Sequence, residues 1–193
     1  MVAIWLVFLI ISGIGAKEFD TWCLEVFPVV LASAILFYTN KKFPLPRFVM
    51  IWIFIHGLVL MLGGHYTYAK VPFGFWLQDI FSFERNPYDR IGHLFQGFVP
   101  ALIAKEVLFR QVQIQSRKWI YFLCVCICLT VSVIYEFIEW GVAVALGQGA
   151  EAFLGTQGDV WDTHWDIFLA GIGAIIALII YHKIKPLEKD RRV

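Results

Sequence analysis

Apolar residues run in long blocks along this chain, and polar residues gather in short clusters between them. A helix that crosses a bilayer needs about 20 mainly apolar residues. Blocks of that order run from Thr21 to Tyr38, Phe48 to Tyr68, Asp89 to Gln111, Lys118 to Leu146 and Trp161 to Ile184, with a shorter one from Val2 to Ala16. The breaks are Lys17-Glu18-Phe19-Asp20, then Asn40-Lys41-Lys42 followed by Pro44 and Pro46, and later a Gly-rich stretch from Gly147 to Gly158. Proline lacks the N–H that a helix interior uses, so Pro44 and Pro46 belong to a connection. The pattern predicts an all-α, polytopic membrane bundle of about six transmembrane helices, forming one domain over residues 1–193. Between the third and fourth helices, Val71 to Tyr88 carries Phe75, Trp76, Leu77, Phe81 and Phe83, which suit a membrane interface. The first block has the apolar length of a signal peptide and ends on Gly13-Ile14-Gly15-Ala16. It has no basic region after Met1, so it is expected to remain as a helix.

Composition supports the lipid-solvated reading. The chain is 60% hydrophobic and 16% charged, with a mean hydropathy of +0.72, against about 45–50% apolar and about 25% charged in soluble domains. A net charge of +1 excludes a nucleic-acid partner on bulk electrostatics. Cys124, Cys126 and Cys128 share one apolar run, and Cys23 lies in another. Neighbours at these helical spacings cannot pair as disulfides, and the four read as small apolar side chains.

Basic residues alternate with the spans. Lys41, Lys42 and Arg47 lie between the second and third helices, Arg110, Arg117 and Lys118 between the fourth and fifth, and Lys183, Lys185, Lys189, Arg191 and Arg192 near the end. With six spans these fall on one face. The other face mixes Lys17, Lys70, Arg85 and Arg90 with Glu18, Asp20, Asp79, Glu84 and Asp89. The positive-inside rule places both termini in the cytoplasm.

That orientation makes the acids and histidines converge. His65 lies at the outer end of the third helix, Asp89, Arg90 and His93 open the fourth with Gln96 one turn deeper, Glu136 and Glu139 lie in the outer part of the fifth, and Asp159, Asp162, His164 and Asp166 open the sixth. Asp89 and His93, like Asp162 and Asp166, are four apart and share a helix face. Ionisable groups at membrane depth cost at least about 2.5–3.5 kcal/mol each and normally face the bundle interior. The expected pairs are Arg90 or His93 with Glu136, and Asp166 with His93. The plainer alternatives are solvated helix caps for Asp89, Arg90, Asp159 and Asp162, and interhelical packing bonds for Glu136 and Glu139. His56 reads as a packing histidine, and Lys105 with Glu106 as a structural pair or snorkelling groups. The glycines from Gly147 to Gly158 lack the GxxxxGK[ST] pattern of a phosphate loop.

Three motifs carry a resemblance: Tyr88-Asp89-Arg90-Ile91-Gly92-His93, Tyr135-Glu136-Phe137-Ile138-Glu139-Trp140, and Gly155 through Asp166 (GTQGDVWDTHWD). They are similar to the YjdF family of bacterial inner-membrane proteins, a domain of unknown function, over nearly the whole chain. More distantly their order resembles VanZ-like proteins, with Asp89, Arg90 and His93, then Glu136 and Glu139, then Asp162, Asp166 and Gly171 as counterparts. Glu139 and Asp166 stand where the VanZ-like pattern has Gln and Asn, which adds negative charge and favours cation binding or proton exchange. The resemblance implies a bacterial inner-membrane location; VanZ-like proteins are associated with glycopeptide resistance at the cell envelope.

Three functions fit these residues. The first is an envelope-associated role in which Asp89, Arg90, His93, Glu136, Glu139, Asp162 and Asp166 bind a small molecule, an ion or a lipid head group. The second is a metal-dependent membrane hydrolase with His93, Glu136, Asp162 and Asp166 as ligands, although HExxH and GxSxG are absent. The third is a proton- or cation-coupled transporter, which the lack of internal repeats disfavours. The bilayer is the one partner the pattern names; it specifies no cofactor and no oligomeric state. The topology is testable: a reporter fused after Lys189 and one inserted between Gly147 and Gly158 should read opposite sides of the membrane, and the same side for both would refute six spans.

Overall fold

In the computed structural model, residues 2–146 and 156–184 are described. The Gly-rich stretch from Gly147 to Gly155 and the basic tail from Lys185 onward lie outside the described residues, as do any structural expectations placed on them. The described chain is helical throughout its spans: α1 (Val2–Gly13), α2 (Phe19–Thr39), α3 (Arg47–Tyr66), a 3-10 turn (Tyr68–Lys70), α4 (Pro72–Phe81), α5 (Tyr88–Arg110), α6 (Arg117–Leu146) and α7 (Asp162–Ile184). Six are the helices the apolar blocks predict, with ends moved by one to three residues, and the seventh, α4, is the interface segment. Four of them (α2, α3, α6 and α7) are long and apolar enough to cross a membrane by length and composition. α5 has 23 residues, about 34 Å at helical rise, but carries charges at both ends that are buried against its neighbours. α1 has 12 residues, about 18 Å, short of a hydrocarbon core of about 30 Å.

Several local breaks follow from sequence. The third helix stops at Tyr66 rather than Tyr68, because Thr67 turns with φ +60° and lets the Tyr68 ring fold back over Gly63. Pro72 opens α4, where the missing N–H is harmless, and Ser82 closes it in a left-handed conformation. α4 leaves Phe73, Phe75, Trp76 and Phe81 exposed, as an interfacial helix requires. α1 docks by laying the buried Trp5 over Gly57. His65 ties α3 to α1 through Nδ1 and the Ser12 carbonyl oxygen at 2.8 Å, so it holds the bundle together and stays apart from the acidic residues.

The most extensive helix contact joins α5 and α7. The two run parallel, each starting at the same end of the bundle. A Cβ on Gly97 would fall inside the van der Waals shell of the Ala170 carbonyl, and one on Gly173 inside that of the Leu94 carbonyl. Small residues allow this backbone approach, and packing at that distance is what holds membrane helices together where lipid removes the hydrophobic drive. α6 closes over the seam, and the Cys128 thiol donates to the Gly97 carbonyl oxygen at 3.3 Å. All four cysteines are free.

At the far end of the seam, the Tyr181 hydroxyl of α7 donates to Glu106 of α5 at 2.8 Å. Arg110 pairs with the same carboxylate at 3.4 Å, and the Lys105 ammonium sits 3.8 Å from the Tyr181 ring centroid. Lys105 and Glu106 are therefore integrated into helix packing at that end.

Replacing Gly97 or Gly173 by Val should lower thermal stability in detergent by about 1–3 kcal/mol or more, the range for overpacking a tight contact. Gly141→Ala, where a Cβ meets nothing within 4 Å, should leave stability intact. Equal melting temperatures for all three variants would show that the α5–α7 seam does not carry the fold.

Candidate functional site

The parallel seam sets Asp89 and His93 of α5 against Asp162 and Asp166 of α7. α6 brings Glu136 from the other side. His93 Nε2 lies 3.6 Å from Asp89 Oδ1, 3.8 Å from Glu136 Oε1 and 3.9 Å from Asp166 Oδ2. The imidazole is 5% exposed and the Asp166 side chain 2%. His93 Nδ1 faces Gln96 Oε1 at 3.0 Å, an i, i+3 contact along α5. With the amide oxygen as acceptor, Nδ1 carries the proton, and Nε2 is the nitrogen aimed at the three carboxylates. Glu136 Oε1 and Asp166 Oδ1 have no hydrogen-bond donor among the described residues.

A second layer closes the cluster toward the end of the bundle. Arg85, whose side chain is 10% exposed, makes a close ion pair with Asp162, and reaches Asp89 at 4.0 Å and Asp159 at 3.9 Å. Its Nη1 also donates to the Thr156 carbonyl oxygen at 2.6 Å. Gln157 exchanges two hydrogen bonds with the Asn86 backbone, at 3.1 and 3.0 Å, and Asn86 Nδ2 donates to the Val71 carbonyl oxygen at 3.0 Å. Gly74 is needed beneath it, because a Cβ there would collide with the Asn86 amide. The segment before α7 is thus pinned to the segment before α5. Arg90, half-buried, pairs with Asp159 at 2.8 Å. Asp159 also accepts the Trp161 N–H at 2.9 Å; that bond first, and then Arg85 and Arg90, hold its carboxyl below the usual carboxylate range. Outside this layer is a cleft of about 670 Å³ bounded by Phe83, Arg85, Arg90, Asp159 and Trp165.

A further cavity of about 160 Å³ lies on the other side of His93, bounded by α2, α3, α5 and α6. Glu139 faces this cavity rather than His93, and Glu25 of α2 lines it as well. The Tyr135 hydroxyl donates to Glu25 Oε2 at 3.3 Å. Pro28 and Pro100 also line it. Each lacks the N–H that would bond the carbonyl four residues earlier, which interrupts the backbone ladder on two helices beside the space.

The geometry alters several sequence expectations. Arg90 does not reach Glu136 but pairs with Asp159, because it lies on the face of α5 turned to the Thr156–Trp161 segment. Asp162, expected as a metal ligand, makes a close ion pair with Arg85, while ligand atoms of Asp89, His93 and Asp166 all lie within 4.8 Å of one another. Asp89 and Asp162 are 8% and 5% exposed, so neither is a solvated cap. His164 stacks edge-on to Trp161 with centroids 5.2 Å apart and stays outside the cluster. His56 lies on the 160 Å³ cavity, with Nε2 lacking a partner among the described residues, rather than only packing. Sequence reasoning missed Glu25, Arg85 and Tyr135. The signal for Glu25 was available, since it is an acid one turn inside an apolar run.

These features define a class: a multi-pass helical membrane protein with a buried cluster of acids and histidine at one end of the bundle. A family model agrees with the membrane assignment: residues 1–186 fit the family described as "Predicted membrane protein (DUF2238)". The chain belongs to that family. It is 49% identical over 171 residues to the "Inner membrane protein YjdF" of Escherichia coli (strain K12), covering 89% of this chain and 82% of that protein. No solved structure matches. The chain is an inner-membrane protein.

Arg85→Gln should cost about 3–5 kcal/mol of detergent stability, the range for removing one partner of a buried ion pair. Arg90→Gln should cost about 1 kcal/mol or less, as for more exposed pairs. Chemical denaturation of both variants compares them; an equal effect would refute the central placement of Arg85.

Proposed function

We propose that this protein binds a divalent cation in the cluster of Asp89, His93, Asp166 and Glu136, on the periplasmic half of the membrane. The observation that carries the proposal is the buried Nε2 of His93 facing three carboxylates from three helices, none within hydrogen-bonding distance. Around that point stand Asp89, Glu136, Asp159, Asp162 and Asp166, against the guanidinium groups of Arg85 and Arg90. Arg85 and Arg90 are engaged with Asp159 and Asp162, which leaves Asp89, Glu136 and Asp166 without a full counter-charge. Carboxylates this close repel one another and attract a cation by the same Coulomb term. In a tetrahedral site with bonds of about 2.0–2.2 Å, two ligand atoms sit about 3.4 Å apart, close to the 3.6–3.9 Å spacing about Nε2. One imidazole with carboxylates suits zinc or manganese. Gln96 supports the ligand by fixing the opposite ring nitrogen, as outer partners of metal-bound histidines do. The alternation of basic segments supports cytoplasmic termini and hence a periplasmic cluster.

A second reading is metal-dependent hydrolysis, favoured by the cleft on the far side of Arg85. The same ion would then polarise a bound substrate, and turnover would require it.

Elemental analysis of the purified full-length protein after exposure to zinc or manganese tests the proposal. About one ion per chain is expected, with affinity falling as pH drops because protons compete for the ligands. His93→Ala and Asp166→Asn should lose the ion while retaining membrane level and helicity. Absence of saturable binding, or binding undiminished in both variants, would reject the site.

A further inference from the structure

The 160 Å³ cavity shares Asp89 and His93 with the metal cluster along one wall, but its other acids, Glu25 and Glu139, are not used by the proposed function. Glu25 and Glu139 line it and are 5% and 8% exposed. Neither makes an ion pair with a basic group among the described residues; Glu25 accepts one hydrogen bond, from Tyr135. Arg85 and Arg90 are committed to Asp159 and Asp162. Two carboxylates at membrane depth without a counter-ion are costly, and each raises the cost of the other.

The cavity also has a shape and an entrance. A space of about 150 Å³ holds a molecule the size of benzene, so a bare proton would leave it unused. Tyr68 and Tyr135 add aromatic lining, a surface that attracts cations. Val131 lines the cavity yet is 39% exposed on the lipid-facing surface. α2 packs its backbone more extensively against α1 and α3 than against α6; the Glu25–Tyr135 bond bridges α2 and α6. Half-buried Pro28 of α2 and exposed Val131 of α6 thus put the cavity's accessible edge between these two helices, on the side a bilayer surrounds.

We infer that this cavity binds an ammonium group, with Glu25 and Glu139 as its counter-charges. An alkylammonium has three N–H donors. Glu25, Glu139 and, with the proton on Nδ1, the His56 Nε2, which has no partner among the described residues, supply three acceptors along the lining. The lateral opening lets the group arrive on a free small amine or on an amine-bearing lipid head group whose acyl chains stay in the bilayer. The inference stands on the cavity and not on the metal cluster, so it survives a failure of the metal proposal.

The test uses purified full-length protein with EDTA present throughout, so that metal binding contributes nothing. n-Butylammonium is titrated in detergent, and native mass spectrometry compares retention of phosphatidylethanolamine with phosphatidylglycerol. Saturable binding of butylammonium alone supports a free-amine ligand; preferential retention of phosphatidylethanolamine supports the lipid source. Glu25→Gln and Glu139→Gln should each weaken binding by about tenfold or more, since one lost ion pair of about 1.4 kcal/mol is a factor of ten. On the wild-type chain, butylammonium should protect Glu139 from carbodiimide labelling, a readout that needs no variant to fold. The inference is overturned if neither probe binds, if both variants bind as the wild type does, or if labelling of Glu139 is undiminished by the amine.

Discussion

The parallel contact of α5 with α7 is the constraint on which the rest of the molecule depends. Gly97 and Gly173 let two backbones touch, and that closeness sets Asp89 and His93 against Asp162 and Asp166. In lipid no hydrophobic force would bring these helices together, so the approach rests on packing and on the polar groups that must leave the hydrocarbon. Tyr181 and Glu106 stitch the seam at its other end. Its register is thus held from both sides.

The polar end of the bundle is arranged in layers. Arg85 and Arg90 neutralise the acids nearest the surface, and the paired loops around Asn86 and Gln157 hold them there. Beneath them His93 collects carboxylates from α5, α6 and α7. Beside this group, Glu25 and Glu139 line a space that Pro28 and Pro100 border. Negative charge is less compensated away from the two arginines, which is the reverse of what packing alone would favour. A bundle held only by interhelical hydrogen bonds would gain little from so many carboxylates, as each such bond is worth about 0.6 kcal/mol in membranes.

The two proposed ligands divide this charge. A divalent cation suits the compact group around His93, where donor atoms lie within one coordination shell. A larger monovalent cation suits the cavity, where acids and aromatic rings surround an open volume. Both sites touch α5, the most buried of the long helices, and Asp89 and His93 border the cavity as well as the cluster. Occupancy of one would be felt electrostatically at the other.

Sequence by itself determined the helices, because a bilayer admits few backbone solutions and long apolar blocks with polar breaks name them. It also determined depth: the position of an acid along an apolar run sets its height in the membrane, and this placed Asp89, His93, Glu136, Glu139, Asp162 and Asp166 at one end. Depth does not specify azimuth. Only the tertiary structure decided that Arg85 takes Asp162, that Arg90 turns to Asp159, and that Glu136 and Glu139, three residues apart, address different spaces. It also brought in Glu25, whose helix is distant in sequence from α6 and is bridged to it by the Tyr135 hydroxyl. The physical reason is that the rotation of each helix about its axis is set by close packing between backbones, at Gly97 and Gly173 above all. That packing is a property of pairs of helices, which no single stretch of chain contains.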